Sequence, residues 1–157
     1  MAIKKLRLEG DDFLRKVSHP ITNFDQRLWS LLDDMRDTLE DYEGVGLAAV
    51  QIGTLRRVIL IDVGDGIVEY INPEIIETEG EQEEVEGCLS IPGERGYVVR
   101  PMKTVIKAQD RHGNFFTKEG EGLLSVAMCH ETDHLDGVLY IDKVTKMVDP
   151  ETFEDLE

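Results

Sequence analysis

The chain has 157 residues, 41% of them hydrophobic, and 33 acids against 17 bases give it a formal charge of −16. That length suits a single domain whose core is large enough to fold without a disulfide or a metal. The acidic balance repels polyanions, so neither DNA nor a membrane surface is expected as a partner. Most of the excess lies in two stretches, six glutamates from Glu77 to Glu86 and five acids from Asp149 to Glu157, neither containing a base. Both read as solvated surface, with Glu86 set apart for a reason given below.

The basic N-terminus, Met1 to Arg7, runs straight into Glu9-Gly10-Asp11-Asp12 without the apolar core of a signal peptide. No apolar run approaches the roughly 20 residues that a bilayer requires. Cys88 and Cys129 are too few for a secreted disulfide scaffold, so free thiols or metal ligands are expected. These features together predict a cytoplasmic protein.

Residues 11–17 read as a short helix stopped before Pro20. A long helix follows, with Asn23 as its cap, Gln26 completing a capping box, and Leu28, Leu31, Leu32, Met35 and Leu39 at helical spacing up to Gly44. Residues 57–63 and 67–71 read as strands around the turn Gly64-Asp65-Gly66. Asn72-Pro73 is expected to end the second, with Ile75-Ile76 in a third. Residues 104–109 and 115–117 flank a hairpin turn, and Leu123 to Leu135 read as a buried helix stopped by Gly137. Short strands with little helix between them favour antiparallel pairing and an α+β class.

The last helix carries His130-Glu131-Thr132-Asp133-His134. Positions i and i+4 share a helix face, so both imidazoles can reach one metal ion, with Glu131 beside a bound water as general base. A catalytic site wants a third protein ligand and an open position. A zinc peptidase would place a histidine at Tyr140, or a downstream glutamate among Glu151, Glu154 and Glu157, where only the acidic tail is available. Cys129 adjoins His130 and so points off the shared face, which makes it a packing residue. Cys88 lies between Gly87 and Pro92, in a tight segment able to present a side chain, and is the better third ligand. The segment Gly44-Val45-Gly46-Leu47-Ala48-Ala49-Val50-Gln51 imitates a dinucleotide fingerprint, but that fingerprint must follow a strand, and here a long helix precedes it. Small residues and one amide fit a backbone that meets a ligand closely, with Gln51 as a fixed donor.

Gly44 to Gln51, Glu86-Gly87-Cys88-Leu89-Ser90 and His130 to His134 together resemble the three ordered blocks of the peptide deformylase family. The resemblance extends from about Asp12 to Asp142 and includes Arg95, Arg100-Pro101 and Leu135-Asp136-Gly137. It implies an α+β fold of short, mostly antiparallel sheets surrounding a central helix that bears the metal motif. It implies Cys88, His130 and His134 as ligands of one divalent metal ion, Fe2+ in the cell, with Zn2+, Ni2+ or Co2+ tolerated. Glu131 would be the general base, and Gln51 with the Leu89 backbone N–H would meet the oxyanion. The substrate would be an N-formylmethionyl nascent peptide, lying against Val45, Gly46 and Gly87, with its methionine near Leu123, Val126, Ala127 and His130, and Arg95 touching it further along. Glu86 and Asp133 would hold ligands or nearby backbone in place.

The chain departs from the pattern at Cys129, where a glutamine is usual, and at Thr132, where a large apolar residue is usual. Many bacterial members carry a longer, basic C-terminal helix that docks on the ribosome. The short acidic tail here predicts that ribosome association is weak or uses another surface. The expectation is a monomer encoded by a bacterium or by a phage that infects one. The rival readings are a noncatalytic metal-binding module of the same fold and an HExxH metallopeptidase. Gln51 and Glu131 argue against the first, and the Cys88 block against the second.

Overall fold

The computed structural model describes residues 2–152 and 154. Of the acidic tail, residues 153 and 155–157 therefore lie outside the described part, as does Met1. Two α-helices and eight strands occur among the described residues, and every strand pairing is antiparallel. The helices are α1 (Gln26–Asp41) and α2 (Leu123–His134). The strands are β1 (Gly46–Ala48), β2 (Val58–Ile61), β3 (Val68–Glu79), β4 (Gln82–Cys88), β5 (Ile91–Arg100), β6 (Lys103–Gln109), β7 (Phe115–Glu121) and β8 (Val144–Val148). They form a larger sheet in the order β1-β2-β3-β6-β7 and a smaller one in the order β4-β5-β8. No helix among the described residues is long and apolar enough to cross a membrane.

The apolar periodicity of α1 is used as expected. Leu28, Leu32, Met35 and Leu39 are buried against Leu6, Leu47, Val58, Leu60 and Ile71. Its start differs from the expectation. Asp25 rather than Asn23 is the cap, accepting from the Arg27 N–H at 3.2 Å, while Gln26 turns outward to Ser30. A carboxylate two residues before the N–H does the same work as the expected capping box. The helix ends at Asp41, and Glu43 rather than Gly44 takes the left-handed turn, with φ of +53°. The short helix expected over residues 11–17 is a 3-10 turn, Asp12–Arg15, capped by Asp11.

The middle of the chain also differs. Asn72-Pro73 does not end a strand, because β3 runs unbroken through it. Asn72 adopts φ of +53°, and the register against β6 slips there, as in a β-bulge. Its side chain makes the bulge a joint: Nδ2 donates to the Ile21 carbonyl and to Gln109 Oε1, and Oδ1 accepts from the Ile21 N–H. The glutamate-rich stretch is the end of β3 and the start of β4. Five of its six glutamates are exposed, and Glu86 is buried.

Helix α2 packs Ala127 and Met128, with Leu135 just after it, against Ile59, Ile61, Tyr70, Ile106 and Ala108 of the larger sheet. The helix has nine buried residues, which include His130, Glu131 and His134. Gly137, at φ of +76°, then turns the chain away, in contact with the Arg15 backbone.

Candidate metal centre and active site

Cys88 and the two histidines come from different layers. Cys88 ends β4 of the smaller sheet, and His130 and His134 lie one turn apart on α2. Their donor atoms all fall within 4.8 Å of one another, and all three residues are buried. Cys88 Sγ is 3.4 Å from His134 Nε2. Ligands bound to zinc-like ions at about 2.0–2.3 Å in a tetrahedron stand roughly 3.3–3.8 Å apart, so this spacing fits an ion. A single soft thiolate with two imidazoles suits several divalent metals, iron and zinc among them.

The ring nitrogens are oriented for the task. His130 Nδ1 donates to Glu86 Oε1 at 2.9 Å, which leaves Nε2 to face the site. The Tyr140 ring stacks on His130 with centroids 6.0 Å apart and 20° between planes. His134 is held neutral: burial, and then the positive charges around it, drive its pKa well below the ordinary value. A neutral imidazole is the form that binds metal.

Glu86 is itself held by Arg100, which the sequence placed within the resemblance but without a role. Arg100 donates to both Glu86 oxygens, at 2.8 and 3.0 Å, and to Asp133 Oδ2 at 2.8 Å. It is 3% exposed. Burial alone would raise the Glu86 carboxyl, but hydrogen bonds from His130 and Arg100 outweigh it and keep the group ionised. Asp133 braces Arg100 and receives Lys143 at 3.0 Å. The signal that could have found Arg100 was its place beside Pro101, at the end of the segment that follows the Cys88 block.

Glu131 lies at the same place. Its Oε2 is 3.9 Å from His130 Nε2, and its Oε1 is buried with no hydrogen-bond partner. Burial, tempered by His130, pushes its carboxyl up to about 7, where a general base works best at neutral pH. Gln51 lines the same cavity. The Ala48 N–H donates to Gln51 Oε1 at 2.9 Å, which fixes the amide and turns Nε2 toward Ser90 Oγ, at 3.0 Å, and Cys88 Sγ, at 3.7 Å.

These groups open into a cavity of about 720 Å³. Val45, Gly46, Gln51, Glu86, Gly87, Cys88, Leu89, Arg95, Leu123, Val126, Ala127, His130 and Glu131 all line it. Among the expected site residues, only His134 and Asp133 sit behind its wall. The glycines of the first block have defined uses. A methyl group on Gly44 would meet Leu89 Cδ1 at 2.8 Å, and one on Gly46 would meet Glu131 Oε2 at 2.5 Å. Gly87 lies under the Arg95 guanidinium with no room for a side chain.

Cys129 faces away, as expected, with Sγ 3.4 Å from Thr104 Oγ1, and burial raises its thiol pKa. Thr132 turns its hydroxyl back to the Met128 carbonyl at 2.6 Å. Neither departure from the usual pattern touches the site.

A family profile of polypeptide deformylases matches residues 3–149. A peptide deformylase of Caldicellulosiruptor bescii is 54% identical over 154 residues, 98% of this chain and 93% of that protein. One from Thermoanaerobacter pseudethanolicus is 51% identical over 157 residues, covering 100% of this chain and 99% of its own length. The crystal structure of the Thermotoga maritima peptide deformylase superposes with a TM-score of 0.90 at 39% identity, over 92% of this chain and 99% of that one. That from Legionella pneumophila gives 0.89 at 44%, over 92% and 87%. The chain therefore belongs to the polypeptide deformylase family, metal-dependent hydrolases that remove the N-formyl group from the formylmethionine of newly made proteins.

Proposed function

We propose that Cys88 Sγ, His130 Nε2 and His134 Nε2 hold one divalent ion, Fe2+ in the cell, and that Glu131 and Gln51 act on a formyl group brought beside it. The ion, when bound, supplies Lewis acidity that lowers the pKa of water. Glu131 takes the proton of the attacking water, whose oxygen bonds to the formyl carbon. Gln51 Nε2 and the Leu89 N–H donate to the oxyanion of the tetrahedral adduct, and one such donor is typically worth about 3–4 kcal/mol of barrier. The C–N bond then breaks, Glu131 delivers its proton to the departing amine, and formate leaves.

The formylmethionyl peptide lies extended along Val45, Gly46 and Gly87, its methionine among Leu123, Val126 and Ala127 and its later residues under Arg95. This reading makes α2 the helix around which the two sheets gather, in one catalytic domain. It places the enzyme in the cytoplasm as a monomer, with weak ribosome association that does not depend on the acidic tail. The observation that carries the chemistry is the convergence of three donor atoms with the unpartnered Glu131 Oε1 in one cavity. Formate release from a formyl-Met peptide by anaerobically purified protein tests it. Activity in the parent and none in a metal-retaining Glu131→Ala variant is expected. Bound metal without formate release from the parent overturns it.

A further inference from the structure

Gln51 follows β1 in the larger sheet, whereas Leu89 sits in the turn joining β4 and β5 of the smaller one. Two donors that must meet one oxygen thus belong to separate layers. An error of about an ångström between them would forfeit much of their effect. The N-terminal segment connects them. The Arg7 N–H donates to the Gln51 carbonyl and the Glu9 N–H donates to the Ser90 carbonyl, each at 2.7 Å. Residues two apart on an extended chain point the same way, so one short stretch can reach both partners.

The stretch is itself anchored. Leu6 is buried, 7% exposed, among the apolar residues of α1 and β2. The Arg7 guanidinium lies 4.4 Å from the centre of the Phe13 ring and donates to Asp11 at 3.0 Å. Gln51 Nε2 closes the circuit with its bond to Ser90 Oγ. We infer that Leu6–Glu9 is a positioning brace that sets the separation between the two oxyanion donors. The inference rests on the assignment of Gln51 and Leu89 made above.

Replacing the Arg7 or the Glu9 amide by an ester, through the corresponding α-hydroxy acid in the full-length protein, removes one N–H each and leaves the side chain. The Lys4 N–H, which donates to Thr38 Oγ1 on α1 at 2.8 Å, provides the control ester. Metal content, melting temperature, kcat and KM are measured for all three, with Gln51→Leu alongside. The Arg7 and Glu9 esters are expected to lower kcat about tenfold with KM within about twofold and metal retained, because the donors act in the transition state. The Lys4 ester is expected to lower only the melting temperature. Esters at 7 and 9 that behave like the one at 4, while Gln51→Leu lowers kcat, would overturn the brace alone. An unchanged kcat in Gln51→Leu would overturn the donor assignment and the brace with it.

Discussion

The Glu131 carboxylate rests against the bare Cα of Gly46, in space that a single methyl group would fill. β1 therefore forms a wall behind Glu131, and the second glycine of the first block is the residue that makes room for it. Gly46→Ala is expected to force the carboxylate off its position, lowering kcat about tenfold or more. The same overpacking should lower stability by about 1–3 kcal/mol. Metal content should be unchanged, since no ligand is touched. Kinetics and elemental analysis on the same preparation check this.

Cys88→Ala tests the proposed ligand, and Glu131→Ala the proposed base. Cys88→Ala leaves two imidazoles with no third protein ligand, and metal content should fall well below one equivalent after dialysis against a mild chelator. Glu131→Ala under the same dialysis should keep its metal. The contrast separates ligand from base in one measurement.

Arg100 is the partner that Glu86 and Asp133 share. Arg100→Met removes a buried charge and leaves the Glu86 carboxylate facing His130 alone. Breaking a buried ion pair from one side typically costs about 3–5 kcal/mol. Urea unfolding should show a loss of that order. The looser His130 ring should release Co2+ faster, as followed by the decay of its visible absorption.

Glu69 offers a test in pH. Burial alone would raise its carboxyl, but hydrogen bonds from Arg111 and Arg36 prevail and lower it. A carboxyl with a depressed folded pKa contributes stability above its unfolded pKa, near 4.3, and loses it as pH falls through the folded value. Both arginines are partly solvent-exposed, so the contribution is about 1–2 kcal/mol. Glu69→Gln should therefore melt lower than the parent at pH 7, and the two curves should converge as the pH falls below about 4.

The site was readable where its chemistry is local. His130 and His134 sit one helical turn apart, and Cys88 follows Gly87 at the end of β4, so the sequence pointed to three residues that the structure brings together. The packing role of Cys129 was legible for the same reason, since adjacent helix positions face apart. Arg100 was not, because its meaning lies in contacts with residues 14 and 33 positions away. Asn72 misled in the opposite direction. A breaker dipeptide with nothing to bond ends a strand, but here Ile21 and Gln109 satisfy its amide, and the strand continues through a bulge. The smaller sheet escaped the reading as well. β4 opens with Gln82-Glu83-Glu84 and β5 contains Pro92, two glycines and three charged residues, so neither shows clean alternation.

Arg100 also bears on the order in which the molecule comes together. It ends β5, whereas Asp133 lies on α2, so β5 cannot close on the helix without stripping water from a guanidinium and two carboxylates. Partial approach loses hydration before the three groups can compensate one another, and so little is gained until all of them meet. A half-docked smaller sheet is thus a poorly populated species, and docking is close to all-or-none. Cys88 arrives on that same sheet. Its sulfur is therefore expected to meet the two imidazoles as the smaller sheet docks, so that the centre is completed together with the fold.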